Sequence, residues 1–494
     1  MKPVVLSPRR PATVAELVAV ARHAARVTAA PAVFARLARA RDVLDRAAAS
    51  GQRIYGLNTG LGANLGTDVS GDAVDFQRQL VRGRAGSVGE PLPRDVTRAV
   101  MFARAAMLSR GGSGISPAVF RLLLDALDAG LHPLLPRIGT IGAGDLVALA
   151  PLALMLLGEG EAELGGKVLP ASAALRRAGL QPVALGPKDG LSLINASALS
   201  VGSAALAIAD ALAAFRQQQQ AAALTMEAML ANRTMLHPAV QAARPAPGQV
   251  AAAAELALLL KRRTEPPPAA LQDPLSVRCV PAIHGALADA IARAGTIVEI
   301  ELNGAADNPL VLVEDDLVLS TGNFHTAGLA LSFETLGLAI AQAAAASAAR
   351  FVQLTGAARR GLPRYLSPAG GASAGFVPLQ KVVAATLAMV RQRANPVMLD
   401  ILAVSEGVED HASHAPLAIA KAGEMIALWQ RLIAFELMAA AQAVDLRPGL
   451  RLATGTGKVR QAVRALVAPL GEDRPLGDDA ERLYVALSSG KWQA

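Results

Sequence analysis

A chain of 494 residues, 52% hydrophobic and only 3% aromatic, is long enough to bury a large core, and that core must be built from Ala, Leu, Val and Ile. The formal charge of +8 is scattered, not clustered with aromatics, and Arg far outnumbers Lys, which fits a GC-rich coding sequence better than a nucleic-acid surface. Runs of about 18 or more uncharged apolar residues are absent. Cys279 is the sole cysteine, excluding an intrachain disulfide, and the first residues lack a signal-peptide hydrophobic stretch, so the expected location is the cytoplasm.

From the start to about residue 200 the sequence mixes short helical patterns with Gly- and Pro-rich turns, at 55–60 and 83–93 among others. The interval 146–157 is apolar throughout and reads as a buried helix, with Pro151 removing one hydrogen bond and bending it, or leaving a harmless kink. Beyond 200 the texture changes. Apolar residues recur at helical spacing over 204–231, 329–355, 379–390 and 416–443, which predicts four long helices. The run Gln217-Gln218-Gln219-Gln220 sits inside the first of these and reads as a solvated helix face. Glu265-Pro266-Pro267-Pro268 and Pro368-Ala369-Gly370-Gly371 are strong breaks, and no fixed-period repeat is visible. The expected organisation is a loop-rich region over 1–200 and a helical bundle over 201–494.

Several blocks carry candidate chemistry. Tyr55-Gly56-Leu57-Asn58-Thr59-Gly60 places a phenol in a Gly-rich loop, a candidate base or a packing residue; a phenol of pKa about 10 needs nearby positive charge to ionise near neutrality. Arg278, in Gln272-Asp273-Pro274-Leu275-Ser276-Val277-Arg278, offers a planar fork for a carboxylate, or an ion pair with Asp273. Asn195 orients an amine or carbonyl, or caps a helix. Glu409, beside Asp410 and His411, is a second acid/base or part of a solvated helix face. His284 and His414 lack ligand spacing, so no metal is expected.

These blocks, with Lys188-Asp189-Gly190-Leu191, Asp307-Asn308-Pro309-Leu310 and Gly322-Asn323-Phe324-His325, resemble in order and spacing the histidine/phenylalanine ammonia-lyases, from about residue 50 to about 450. The resemblance implies a mainly α fold, a large helical bundle related to the fumarase/aspartase bundles with a mixed, loop-rich N-terminal region. It also implies a homotetramer whose sites draw on three subunits. It gives Tyr55 the role of base, Asn195 and Glu409 catalytic roles, Arg278 the substrate carboxylate, and Gln272, Asn308 and Phe324 places against the substrate. Arg84 falls at the family's side-chain selectivity position and favours an anionic or strongly hydrogen-bonding group, unless it points to solvent. Lys381 replaces a family glutamine near the amine end of the pocket, either pairing with Glu409 or remaining solvated.

One departure outweighs the others. The family cyclises an Ala-Ser-Gly tripeptide into an electrophilic methylidene-imidazolone, whereas here Gly142-Ala143-Gly144-Asp145 has no serine. No hydroxyl is available to eliminate, Thr140 lies outside the three-residue turn, and the alignment resumes at once with Asp145-Leu146. The expectation is therefore no cofactor. Leu275 also stands where the family has a second catalytic tyrosine. The functional expectation is a lyase, or an isomerase, acting on a carboxylate-bearing small molecule without the ring, for example by expelling trimethylammonium from a betaine, as the ring-less ergothionases of this family suggest. The alternatives are an inactive pseudoenzyme or scaffold subunit and a conventional histidine or aromatic amino acid ammonia-lyase. Neither nucleic acid nor membrane is expected as a partner.

Overall fold

Ala and Leu lose little side-chain freedom in a helix, and the Pro-free stretches of this chain fold accordingly. In the structure, a computed structural model, every residue is described except 1, 70–71, 263–265, 357–360 and 400; Glu265 of the proline-rich break thus lies outside the described residues. The long helices are Ala198–Ala228, Val280–Leu302, Ala327–Thr355, Val377–Arg393 and Ala415–Asp445. Four of them coincide, within a few residues, with those expected from periodicity. The fifth, Val280–Leu302, begins with Val280-Pro281, a proline in a first turn where its missing donor costs nothing.

Close contacts divide the chain into two units, neither of them one continuous stretch. The first comprises Met1–Ala209, Ala294–Phe333 and Pro396–Ala420, the second Asp210–Arg293, Glu334–Asn395 and Lys421–Ala494. In the first unit, short strands punctuate the helices. Val4–Leu6 pairs in parallel with Val27–Ala29, Val88–Pro91 runs antiparallel to Pro136–Ile138, and Leu310–Leu312 forms a hairpin with Leu317–Leu319. A small core of Ala40, Val43, Leu44, Ile54, Val311 and Val318 joins the helix Pro31–Ala49 to that hairpin and anchors the loop that follows Ile54. Helix Leu146–Leu156 continues through Pro151, as expected, with most of its residues buried.

The second unit corrects one expectation. Gln217, Gln218 and Gln219 are buried, not solvated. Gln217 donates to the Leu487 carbonyl at 3.0 Å, Gln218 accepts from Trp429 Nε1 at 2.7 Å, and Gln219 donates to the Ala252 carbonyl at 3.0 Å and bonds His284 Nδ1 at 2.5 Å. A primary amide can satisfy donor and acceptor together, which is how a polar run survives burial. Beside it, Arg350 and Glu436, both fully buried, form a bidentate pair at 2.6 and 2.9 Å.

Two helical stretches, Asp189–Ala228 and Ala327–Thr355, are long and apolar enough by composition to cross a membrane, but 67% and 61% of their most apolar windows are buried in protein. That is the behaviour of core helices.

Candidate active site

The strand Pro136–Ile138 leads into a buried turn, and the helix Leu146–Leu156 leads out of it. Gly142 and Gly144 both adopt left-handed backbone, with φ +81° and +74°. Thr140 Oγ donates to Asp145 Oδ1 at 2.7 Å and accepts from the Gly142 amide at 3.1 Å. The Gly142 carbonyl accepts from Ser413 Oγ at 2.9 Å and Thr326 Oγ at 3.3 Å. Asp145, wholly buried, accepts from the Ser200 amide at 3.1 Å, and its own amide donates to the Ala196 carbonyl at 2.8 Å. Burial raises the Asp145 carboxyl above the usual range against these hydrogen bonds. Thr140 thus serves as a brace for the turn.

Ala143 faces a cavity of about 650 Å³ lined wholly by the first unit. Tyr55, Asn195, Asn308, Phe324 and Glu409 all line it, although the longest gap between them in sequence exceeds a hundred residues. Asn195 ends the short helix Asp189–Ile194 as its C-cap, and its Nδ2 donates to the Asn308 carbonyl at 2.7 Å. Asn308 Oδ1 in turn accepts from the Thr321 amide at 3.0 Å. Below these two asparagines lies a buried ionic cluster. Arg104 pairs with Asp307 at 2.6 Å and also donates to the Ser192 carbonyl. Lys188 donates to the Ser113 carbonyl at 2.5 Å, and burial brings its ammonium down to about 8, with Asp307 opposing. Asp307 and Ser192 neighbour Asn308 and Asn195 in sequence, so the cluster fixes both backbones from behind.

The Tyr55 hydroxyl accepts from the Gly62 amide at 3.0 Å. Burial nonetheless pushes the phenol above its ordinary value of 10.0; the Gly62 amide and the Arg84 charge pull it down, and Glu409 adds to the rise. Arg84, half-buried and outside the cavity lining, is therefore within electrostatic reach of Tyr55. Glu409 does not lie on a helix, contrary to the solvated-face alternative. It follows a tight turn in which Ser405 and Glu406 are both left-handed, with φ 54° and 55°, and its Oε2 accepts from Ser405 Oγ at 2.7 Å.

Three expected substrate contacts belong to the second unit. Arg278 Nη1 donates to Gln272 Oε1 at 2.6 Å, and both line a separate hollow of about 500 Å³ with Asp273. Asp273, buried, accepts from the Asn232 amide at 2.8 Å. Lys381 is exposed on the helix Val377–Arg393. Leu275 is 61% exposed at the start of a four-residue helix that ends at Arg278. Among the described residues no group of three His, Cys, Asp or Glu is placed to hold a metal.

Two cavity residues stand out by geometry and not by sequence. His325 Nε2 and His411 Nδ1 lie 2.9 Å apart with ring centroids at 4.9 Å, and both line the cavity. They are 86 residues apart, and no spacing signals the pair. The backbone of His325 also forms an isolated antiparallel bridge with Ala143, linking it to the turn.

Residues 12–465 match the aromatic amino acid lyase family. The histidine ammonia-lyase of Symbiobacterium thermophilum is 38% identical over 97% of this chain and 96% of its own length, and that of an Anaeromyxobacter species 39% identical over 97% of both. Among solved structures, the ergothioneine-degrading ergothionase of Treponema denticola superposes with a TM-score of 0.95 at 29% identity, covering 99% of each chain. The histidine ammonia-lyase of Trypanosoma cruzi gives 0.91 at 32% identity, covering 99% of this chain and 94% of that one. The helical architecture is the ammonia-lyase fold, and the chain belongs to the aromatic amino acid lyase family.

Proposed function

We propose that this chain is a carbon–nitrogen lyase acting on a small amino-acid-like carboxylate without an internal electrophile. The observation that carries the proposal is the turn at 143–145. A methylidene-imidazolone requires a hydroxyl on the middle residue of the tripeptide that cyclises, and here the turn reads Ala143-Gly144-Asp145. The residues present do not fit the group, so no step is routed through it.

Without the electrophile, a substrate needs either an acidified β-hydrogen or a leaving group that already departs well, and a quaternary ammonium satisfies the second condition. Tyr55 is the base: the Gly62 amide and the Arg84 charge stabilise its phenolate where burial alone would not. It removes the β-proton, the C–H pair forms the double bond, and the amine leaves with the C–N pair. Asn195 and Glu409 hold the leaving nitrogen, Phe324 and Asn308 the body of the substrate. Arg278 and Gln272, already bonded to each other, take the carboxylate in a composite site of a homotetramer, with Lys381 also against the substrate. The likeness to an ergothioneine-degrading enzyme supports an imidazole-bearing betaine as substrate class.

A second reading is favoured by the names of the curated relatives: a conventional histidine ammonia-lyase. One experiment separates the two. Intact mass of the purified chain should equal that of the unmodified sequence, and histidine should yield no urocanate absorbance while an imidazole-bearing betaine does. A mass short by water at 143–145, or urocanate formed at ordinary rates, would establish the second reading instead.

A further inference from the structure

The elimination proposed above needs more than a base. Each turnover deposits the substrate's β-proton on Tyr55, and that proton has to reach water before the phenolate can act again. Tyr55 is half-buried, and among the described residues its hydroxyl is bonded by the Gly62 amide, a donor that cannot accept a proton. A second cavity group that exchanges protons with solvent would give that proton a path out.

We propose that His325 and His411 form that group: a two-imidazole relay that carries one proton between the cavity and solvent. This inference rests on the elimination reading for its direction of transfer, though not for the pairing itself. The geometry supplies the three parts a relay needs. His325 is half-buried in the cavity wall and tied through its backbone to Ala143. His411 is exposed. The 2.9 Å contact between Nε2 of the first and Nδ1 of the second is a hydrogen bond only if one ring donates and the other accepts. The outer nitrogens, Nδ1 of His325 and Nε2 of His411, then carry opposite roles. A proton arriving at His325 Nδ1 shifts the shared proton from Nε2 to His411 Nδ1, and His411 Nε2 releases its own proton to water. One proton enters, one leaves, and the pair stays neutral with its tautomers reversed; rotation of each ring about its Cβ–Cγ bond resets it for the next proton.

Double protonation would set two N–H groups facing each other at hydrogen-bond distance, so the pair holds one extra proton at most. The groups sharing the cavity with it are Tyr55, Glu409, Asp410 and Arg53. Arg53 is paired with Asp68 at 2.8 Å, Glu409 with Ser405 at 2.7 Å, and Asp145 in the adjoining turn is sealed by Thr140 and Ser200. On His325 itself, burial acts first and His411 second, both disfavouring the cation, which keeps the inner ring neutral and able to accept.

The test uses the full-length protein. Deuterium exchange at imidazole C2, read histidine by histidine by mass spectrometry, gives the protonation midpoint of each ring without any need for turnover. His411→Asn keeps a hydrogen-bonding group near the Nδ1 position but cannot relay a proton. The His325 midpoint should move upward in this variant, and unchanged, independent midpoints overturn the pair. In turnover of the betaine, His411→Asn should lose about a hundredfold in kcat, the lower end of the range typical for a lost proton-transfer group, and added free imidazole should restore much of it. A loss that imidazole does not restore marks a merely structural role and overturns the relay. If no substrate turns over, the elimination reading fails, and the exchange midpoints then decide the pair alone.

Discussion

Gly144→Ala is the most direct probe of the turn on which the functional proposal stands. Gly144 sits at φ +74°, where an L side chain is strained by about 1–2 kcal/mol. A Cβ there would also lie 3.0 Å from Asn195 Oδ1 and 3.3 Å from a methyl of Leu146. The Asn195 side chain must yield, and its 2.7 Å bond to the Asn308 carbonyl is what it stands to lose, a net contribution of about 1 kcal/mol. Together these give a destabilisation of about 2–3 kcal/mol. Gly160→Ala is the matched control: φ is +70° there, but nothing lies within 4 Å of the added carbon. It should show the backbone strain alone. Urea unfolding of both variants, with slopes unchanged from the parent, measures the difference. If the two variants unfold at the same midpoint, Gly144 does not press on Asn195, and the account of the turn packed beneath the cavity is wrong.

Other predictions follow from buried charge. Burial alone pushes Glu301 up to about 7, so the folded state prefers its neutral form; the stability this provides is full below about 4.5 and lost as the pH rises through about 7, and Glu301→Gln should flatten the stability profile across that window. Arg350→Met strands the Glu436 carboxylate with Ser347, Thr225 and Gln218 as its donors among the described residues, at a cost of about 3–5 kcal/mol in thermal or denaturant unfolding; a cost below about 1 kcal/mol would contradict the buried pair. Spectrophotometric titration of the three tyrosines should show Tyr55 shifting further upward in Arg84→Met and downward in Glu409→Gln. No movement in either variant would remove both residues from the electrostatics of Tyr55.

What the sequence revealed depended on how local the determining physics was. Helical period is local, and the stretches at 204–231 and 416–443 were legible as Ala198–Ala228 and Ala415–Asp445. Burial of polar side chains is not local. Four consecutive glutamines carry the same composition whether they meet water or a protein interior, and what decides is Trp429, Leu487, Ala252 and His284, each tens to hundreds of residues away. The helix Val280–Leu302 was hidden for a related reason: its proline and glycines read as breaks unless the proline is known to occupy the first turn.

The site divides along the same line. Tyr55, Asn195, Asn308, Phe324 and Glu409 stand in blocks whose resemblance to a family already encodes their convergence, and the fold brings those five to one cavity. The histidine pair was written in two of the same blocks, yet its chemistry exists only in the 2.9 Å between two rings. The ionisation of Tyr55 shows the limit from the other side. Sequence supplies a phenol and its need for a nearby positive charge, but the sign of the balance comes from how deeply the loop is buried, and here burial prevails over the Arg84 charge. A base that is reluctant to ionise is suited to a substrate that brings its own positive charge into the cavity, since a cationic leaving group beside the phenol would tip that balance toward phenolate as the Michaelis complex forms. In the proposed elimination, that coupling would tie the missing hydroxyl at 143–145 to the raised phenol at 55: a quaternary ammonium would both leave without an electrophile and help to ionise the base that removes the proton.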